Sequence, residues 1–181
     1  MFYILYLDMN DNYIIQKVNE LKEQYYTADP LQLLEELGVG IKYSYDFVKL
    51  KAFYTVVLGN PYVVLNGSLD EYELRTVAAH ELGHHIFHGY LAEAGPIQEI
   101  GFYNVKSGPE YEANVFAAEL LIDTDELLLL LSEESDFYSV ASILNVSPEL
   151  LAFKMKNSGG VFLNYNIPII ARSDFMSKRT N

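Results

Sequence analysis

His80-Glu81-Leu82-Gly83-His84 places two imidazoles four residues apart, with a carboxylate directly after the first. On an α-helix, positions i and i+4 share a face, so both imidazoles can present a nitrogen to one ion. Glu81, about 100° around the axis, can reach a water on that ion. The chemistry this set supports is metal-assisted hydrolysis. Zinc is the ion that combines imidazole ligands with an open coordination position. The chain holds no cysteine, so no thiolate site is available and any metal must be held by imidazole and carboxylate.

The pentad is useful only if a helix carries it. Ser68 reads as an N-cap with Glu71 completing a capping box, Leu74, Val77, Ala78 and Leu82 form an apolar stripe beside the histidines, and Gly89 reads as the stop. Upstream, Ile14, Ile15, Val18, Leu21 and Tyr25 recur at helical spacing over Asn12 to Tyr26, whereas Met1 to Leu7 reads as a short strand or a disordered start. Asp29-Pro30 opens a second helix that Gly38 ends. The stretches Ile41 to Tyr45, Ala52 to Leu58 and Tyr62 to Leu65 are rich in Val, Tyr and Phe and read as strands, the last two joined as a hairpin through Gly59-Asn60-Pro61.

Tyr90 to Gly108 reads as a long loop and a possible wall of a substrate cleft. Pro109 opens a helix through Leu121, and shorter helices are expected over Asp125 to Leu131, Asp136 to Leu144 and Ser147 to Lys156. Val161 to Tyr165 reads as a late strand. The expected organisation is one domain over residues 1–181, with 172–181 a polar tail.

A catalytic zinc takes three protein ligands, and the pentad supplies two. His85 points about 100° away from His84, and His88 lies one further turn along, so both read as packing or surface residues. Glu110 and Asn114 are four apart on one helical face. Glu110 could bind the ion while the Asn114 amide oxygen accepts a proton from the far nitrogen of a ligating histidine. Glu112 points to another side. No transition-state stabiliser stands out, because Tyr103 and Tyr111 are two of 15 tyrosines.

Charge narrows the partners. With 12 Lys and Arg against 25 Asp and Glu, the net charge of −13 would repel a phosphate backbone, which argues against nucleic acid. No run of roughly 18 apolar residues offers a membrane span. The apolar start lacks a basic leader and stops at Asp8, so the expected location is the cytoplasm.

Val77-Ala78-Ala79-His80-Glu81-Leu82-Gly83-His84, followed by Glu110-Tyr111-Glu112-Ala113-Asn114-Val115-Phe116-Ala117-Ala118-Glu119-Leu120-Leu121, resembles the ImmA/IrrE family of metallopeptidases. The resemblance implies an α+β, zincin-like domain in which a small antiparallel sheet packs on the HExxH helix and several further helices. It implies His80, His84 and Glu110 as zinc ligands and Glu81 as catalytic base. It also implies a role, cleavage of a helix-turn-helix repressor as an anti-repressor of a mobile element or a stress regulator. Asp123 departs from the family pattern, which commonly has proline there. Two other readings stand beside the peptidase. One is a zinc-bearing interaction module without proteolysis. The other is a DNA-binding regulator, suggested by the helix-turn-helix outline of Ser139 to Met155, although Glu149 sits where base contacts would be expected and only Lys154 and Lys156 are basic.

Overall fold

The computed structural model describes residues 2–92, 95–99, 108–133, 136–158, 160–165 and 167–168. In chain order these form α1 (Phe2–Tyr25), α2 (Pro30–Glu36), β1 (Gly40–Ser44), β2 (Ala52–Val57), β3 (Asn60–Asn66), α3 (Glu71–Ala92), β4 (Ile97–Glu99), α4 (Gly108–Leu121), α5 (Thr124–Ser132), α6 (Phe137–Ile143) and α7 (Pro148–Asn157). The class is α+β. Residues 172–181 and Tyr103, and most of the expected loop before α4, lie outside the described residues.

Helix α1 begins at Phe2, in place of the short strand or disordered start that Met1 to Leu7 suggested. No Gly or Pro interrupts Phe2 to Tyr25, so nothing ends the helix on its N-terminal side. Ile14, Val18 and Leu21 are its buried stripe. Asp29 caps α2 as expected, its Oδ1 accepting from the backbone N–H of Leu31 at 2.8 Å and of Gln32 at 3.0 Å.

The sheet has four strands in the order β1-β3-β2-β4. It is mixed. β2 pairs antiparallel with β3 and with β4, but β1 pairs parallel with β3, where the expected sheet was antiparallel throughout. The cause is the order of strands in space. The connection after β1 carries the chain one position out, and the β2-β3 hairpin returns β3 into the gap, running the same way as β1. Asn66 secures that connection, its Nδ2 donating to the Leu50 carbonyl at 3.1 Å.

The hairpin turns on Leu58 (φ 52°) and Gly59 (φ 78°), with Val57 opposite Asn60. A two-residue loop with both φ positive matches the right-handed twist of its strands, and glycine takes that conformation freely. Pro61, the last residue of the expected turn, therefore lies in β3. It is tolerated because the β1 register begins at Tyr62, so the missing N–H falls before that ladder. Ala52 and Tyr54 of β2 and Val63 and Leu65 of β3 are buried and belong to one apolar cluster with Val77, Ala78 and Leu82 of α3.

Helix α3 is capped by Asp70, not Ser68. Asp70 Oδ1 accepts from the Glu73 N–H at 2.7 Å, while the Ser68 N–H donates to Asn66 Oδ1 at 2.9 Å in the preceding turn. The helix also runs through Gly89 to Ala92. Asp123, the departure from the family pattern, caps α5 by accepting from Asp125 and Glu126 N–H at 3.0 and 2.9 Å. Val161 to Tyr165 is a run of turns, with Leu163 N–H donating to the Gly160 carbonyl at 3.2 Å, in place of the expected strand. Phe162, nearly wholly buried, is the side chain those turns deliver to the core.

Candidate metal centre on helices α3 and α4

Helices α3 and α4 pack closely because small residues meet at their crossing. A Cβ built on Gly83 would stand 3.0 Å from the Ala113 Cα and 3.3 Å from the Phe116 Cβ. The central glycine of the pentad therefore sets the approach of α4, and with it the reach of Glu110 and Asn114 toward the histidines. Gly83→Ala should force the helices apart and destabilise the chain by about 1–3 kcal/mol, the usual cost of overpacking. It should lower metal occupancy at the same time. Thermal denaturation and metal content check this together, and unchanged values for both would mean that the contact is looser than its distances imply.

His80 and His84 are buried and turn their Nε2 atoms toward each other at 3.0 Å. Glu110 completes the set, with Oε2 at 3.3 Å from His80 Nε2 and Oε1 at 3.4 Å from His84 Nε2. These ligand atoms all lie within 4.8 Å of one another. The donor set fits one small divalent cation. Ligand atoms about 2 Å from a tetrahedral ion stand about 3.3 Å from each other, close to the spacing seen. Among the described residues this is the group of His, Asp and Glu side chains that could hold an ion.

Both remaining imidazole nitrogens have partners. His80 Nδ1 lies 3.1 Å from Asn114 Oδ1, within hydrogen-bond distance. His84 Nδ1 lies 3.1 Å from Nδ1 of His88, whose Nε2 is in turn 2.9 Å from Glu112 Oε2. Glu112 thus faces away from the converging ligand atoms, as its helical position predicted. His88 is buried rather than at the surface, and its bond to His84 was not anticipated. The even spacing of His80, His84 and His88 on one helical face was the signal available in the sequence; the partner on another helix was not. His85 packs against Tyr54, with the Tyr54 hydroxyl 3.0 Å from His85 Nδ1.

Electrostatics favour the ligand states. Burial pushes the Glu110 carboxyl up, but its hydrogen-bond contacts with His80 and His84 outweigh that and hold it well below the usual carboxylate range. Burial lowers His84 from the ordinary imidazole value, only partly offset by Glu110. The result is ionised carboxylate beside neutral imidazole. Glu81 is fully buried next to His80, and Glu110, with its side chain 25% exposed, lies on the solvent side of the set. Tyr111 is tied elsewhere, its hydroxyl 2.9 Å from Asp11 Oδ2 and 3.3 Å from Asn157 Oδ1.

A zincin-like α+β fold carrying an HExxH helix and a downstream glutamate defines a metallopeptidase-like domain. Residues 21–156, more than half of the chain, match the IrrE N-terminal-like domain of peptidase family M78, and the chain belongs to that family. It is also similar to the "Uncharacterized immunity region protein 2" of Bacillus phage phi105, at 31% identity over 105 residues. That match covers 58% of this chain and 65% of the phage protein, so the chain spans less than two thirds of that relative's length. No helix among the described residues is long and apolar enough to cross a membrane.

Proposed function

We propose that this protein is a zinc-dependent endopeptidase of the cytoplasm that cuts a helix-turn-helix repressor at one or a few sites. The observation that carries the reading is the convergence of His80 Nε2, His84 Nε2 and the Glu110 carboxylate beside a buried Glu81. In this reading His80, His84 and Glu110 hold the ion. A zinc ion held by these residues would supply Lewis-acid polarisation of a carbonyl and make water acidic enough to ionise near neutral pH. Glu81 accepts the proton of the attacking water on its carboxylate and later delivers it to the leaving amine. Asn114 keeps the His80 ring turned so that Nε2, not Nδ1, faces the ion.

A peptide bond must lie extended across such a centre to be cut, so the target is a linker or a locally unfolded element rather than a stable helix. The family resemblance supports a repressor as the source of that segment. The phage relative's description as an immunity region protein is compatible with it. Direct DNA binding is disfavoured. Helices α6 and α7 do have a helix-turn-helix outline, but Lys154 is buried and paired with Glu119, which leaves Lys156 as the exposed lysine of α7.

A charge of −13 should draw the basic DNA-binding region of a repressor toward the protein. With a helix-turn-helix repressor as substrate, kcat/KM should fall by about tenfold as ionic strength rises from about 0.01 to about 0.5 M, because the screening length shrinks from about 30 Å to a few ångströms. Incubation at both salt levels, with fragments mapped by mass spectrometry, tests this. Cleavage insensitive to salt removes the steering and keeps the peptidase. No cleavage by the zinc-loaded protein favours the interaction module.

A further inference from the structure

His84 differs from His80 in what stands behind it. Asn114, a neutral amide, backs the His80 ring directly, whereas a second imidazole and then a carboxylate back His84. We propose that Glu112 and His88 form a two-step hydrogen-bond relay that fixes His84 as its Nδ1–H tautomer and so keeps the Nε2 lone pair directed at Glu110 and His80. The relay rests on the metal-centre reading, and its proton positions are those of the zinc-loaded protein.

The assignment follows from counting protons along the chain. An ionised carboxylate accepts and cannot donate, so the 2.9 Å contact places a hydrogen on His88 Nε2. Where His84 Nε2 holds the ion, the one hydrogen of that ring sits on Nδ1. The 3.1 Å contact between the two Nδ1 atoms therefore requires the hydrogen to sit on His84. A hydrogen on His84 Nδ1 leaves Nε2 bare.

Geometry holds the relay in place. His88 follows His84 by one helical turn on α3, and the two rings meet edge to face at 5.1 Å between centroids and 62° between planes. Glu112 comes from α4, two residues after Glu110, so the helix crossing fixed by Gly83 places both the ligand and the relay. His88 is nearly fully buried, whereas the Glu112 side chain is 30% exposed. Glu112 and His88 are accordingly positioning residues: they act on the ion through His84 and not by touching it.

The test uses the full chain with 15N-labelled histidine. In zinc-loaded wild-type protein, two-bond proton–nitrogen spectra should show His84 as Nδ1–H and His88 as Nε2–H. Glu112→Ala should abolish the single tautomer of His88 and weaken zinc binding by about 10- to 100-fold, the range expected when the partner of a ligating histidine is lost. Glu112→Gln keeps an oxygen that can accept from His88 Nε2 and should recover most of both effects. A purely structural role for Glu112 would instead shift the melting temperature of the zinc-free protein and leave the tautomers alone. Finding His84 as Nε2–H in the wild type, or equal zinc affinity in wild type and Glu112→Ala, overturns the relay. Wild-type protein that binds no zinc overturns the metal-centre reading, whereas zinc-loaded protein with His88 as Nδ1–H overturns the relay alone.

Discussion

Glu81→Gln should leave the metal content of the protein unchanged and lower kcat by about 10²- to 10⁴-fold, the contribution of a positioned general base. The substitution is nearly isosteric, which matters because Glu81 is fully buried on α3 and a larger change would disturb the packing of the helix that carries His80 and His84. The amide keeps an oxygen and the shape of the side chain but has no appreciable basicity, so water activation is lost while the ligand set stays intact. Metal analysis and single-turnover kinetics on the same preparation separate the two effects. Undiminished turnover in a fully loaded Glu81→Gln sample would take Glu81 out of the proton-transfer role. Equal and negligible turnover in wild type and variant, with zinc bound in both, would point to the interaction module.

Features set by neighbours in sequence were legible from the residues. Asp29-Pro30 and Ser147-Pro148 signalled helix starts, and each serves as one, because a cap and an N1 proline act within a single turn. The i, i+4 spacing of His80 and His84, and of Glu110 and Asn114, let these side chains meet across α3 and α4 for the same reason. Ser68 was misjudged because two overlapping patterns compete: Ser68 with Glu71 and Asp70 with Glu73 both have the form of a capping box. The contest is settled by Asn66, which draws the Ser68 N–H into the turn before the helix. The parallel pairing of β1 with β3 was hidden because strand order in space is set by which faces bury together, not by the order of strands along the chain. Glu112 was read correctly as facing away from the ligand atoms, yet what it does there could not be read, since its partner His88 lies 24 residues away on another helix.

Removal of the third ligand should have the largest effect on the metal itself. Glu110→Ala leaves two imidazoles, and its loss of affinity should exceed the about 10- to 100-fold expected for a residue that only orients a ligand, such as Asn114 or Glu112. Protonation of the histidines cannot supply the explanation. Burial already lowers the pKa of His84, and Glu110 is among the groups that raise it, so taking the carboxylate away favours neutral imidazole still further. The effect is therefore the loss of an anionic oxygen from the centre, and it should persist across neutral pH. Thermal denaturation with and without added zinc reads it directly. A ligand that binds only the folded state stabilises it by roughly 4 kcal/mol at a thousandfold excess over Kd, so the wild-type midpoint should rise with zinc while that of Glu110→Ala stays where it was. Asn114→Ala should fall between the two, because His80 keeps its place on α3 but loses the acceptor for its Nδ1 hydrogen. A zinc-dependent rise in Glu110→Ala equal to that of the wild type would show that the third ligand comes from another residue, and the register that puts Glu110 opposite His80 and His84 would have to be redrawn.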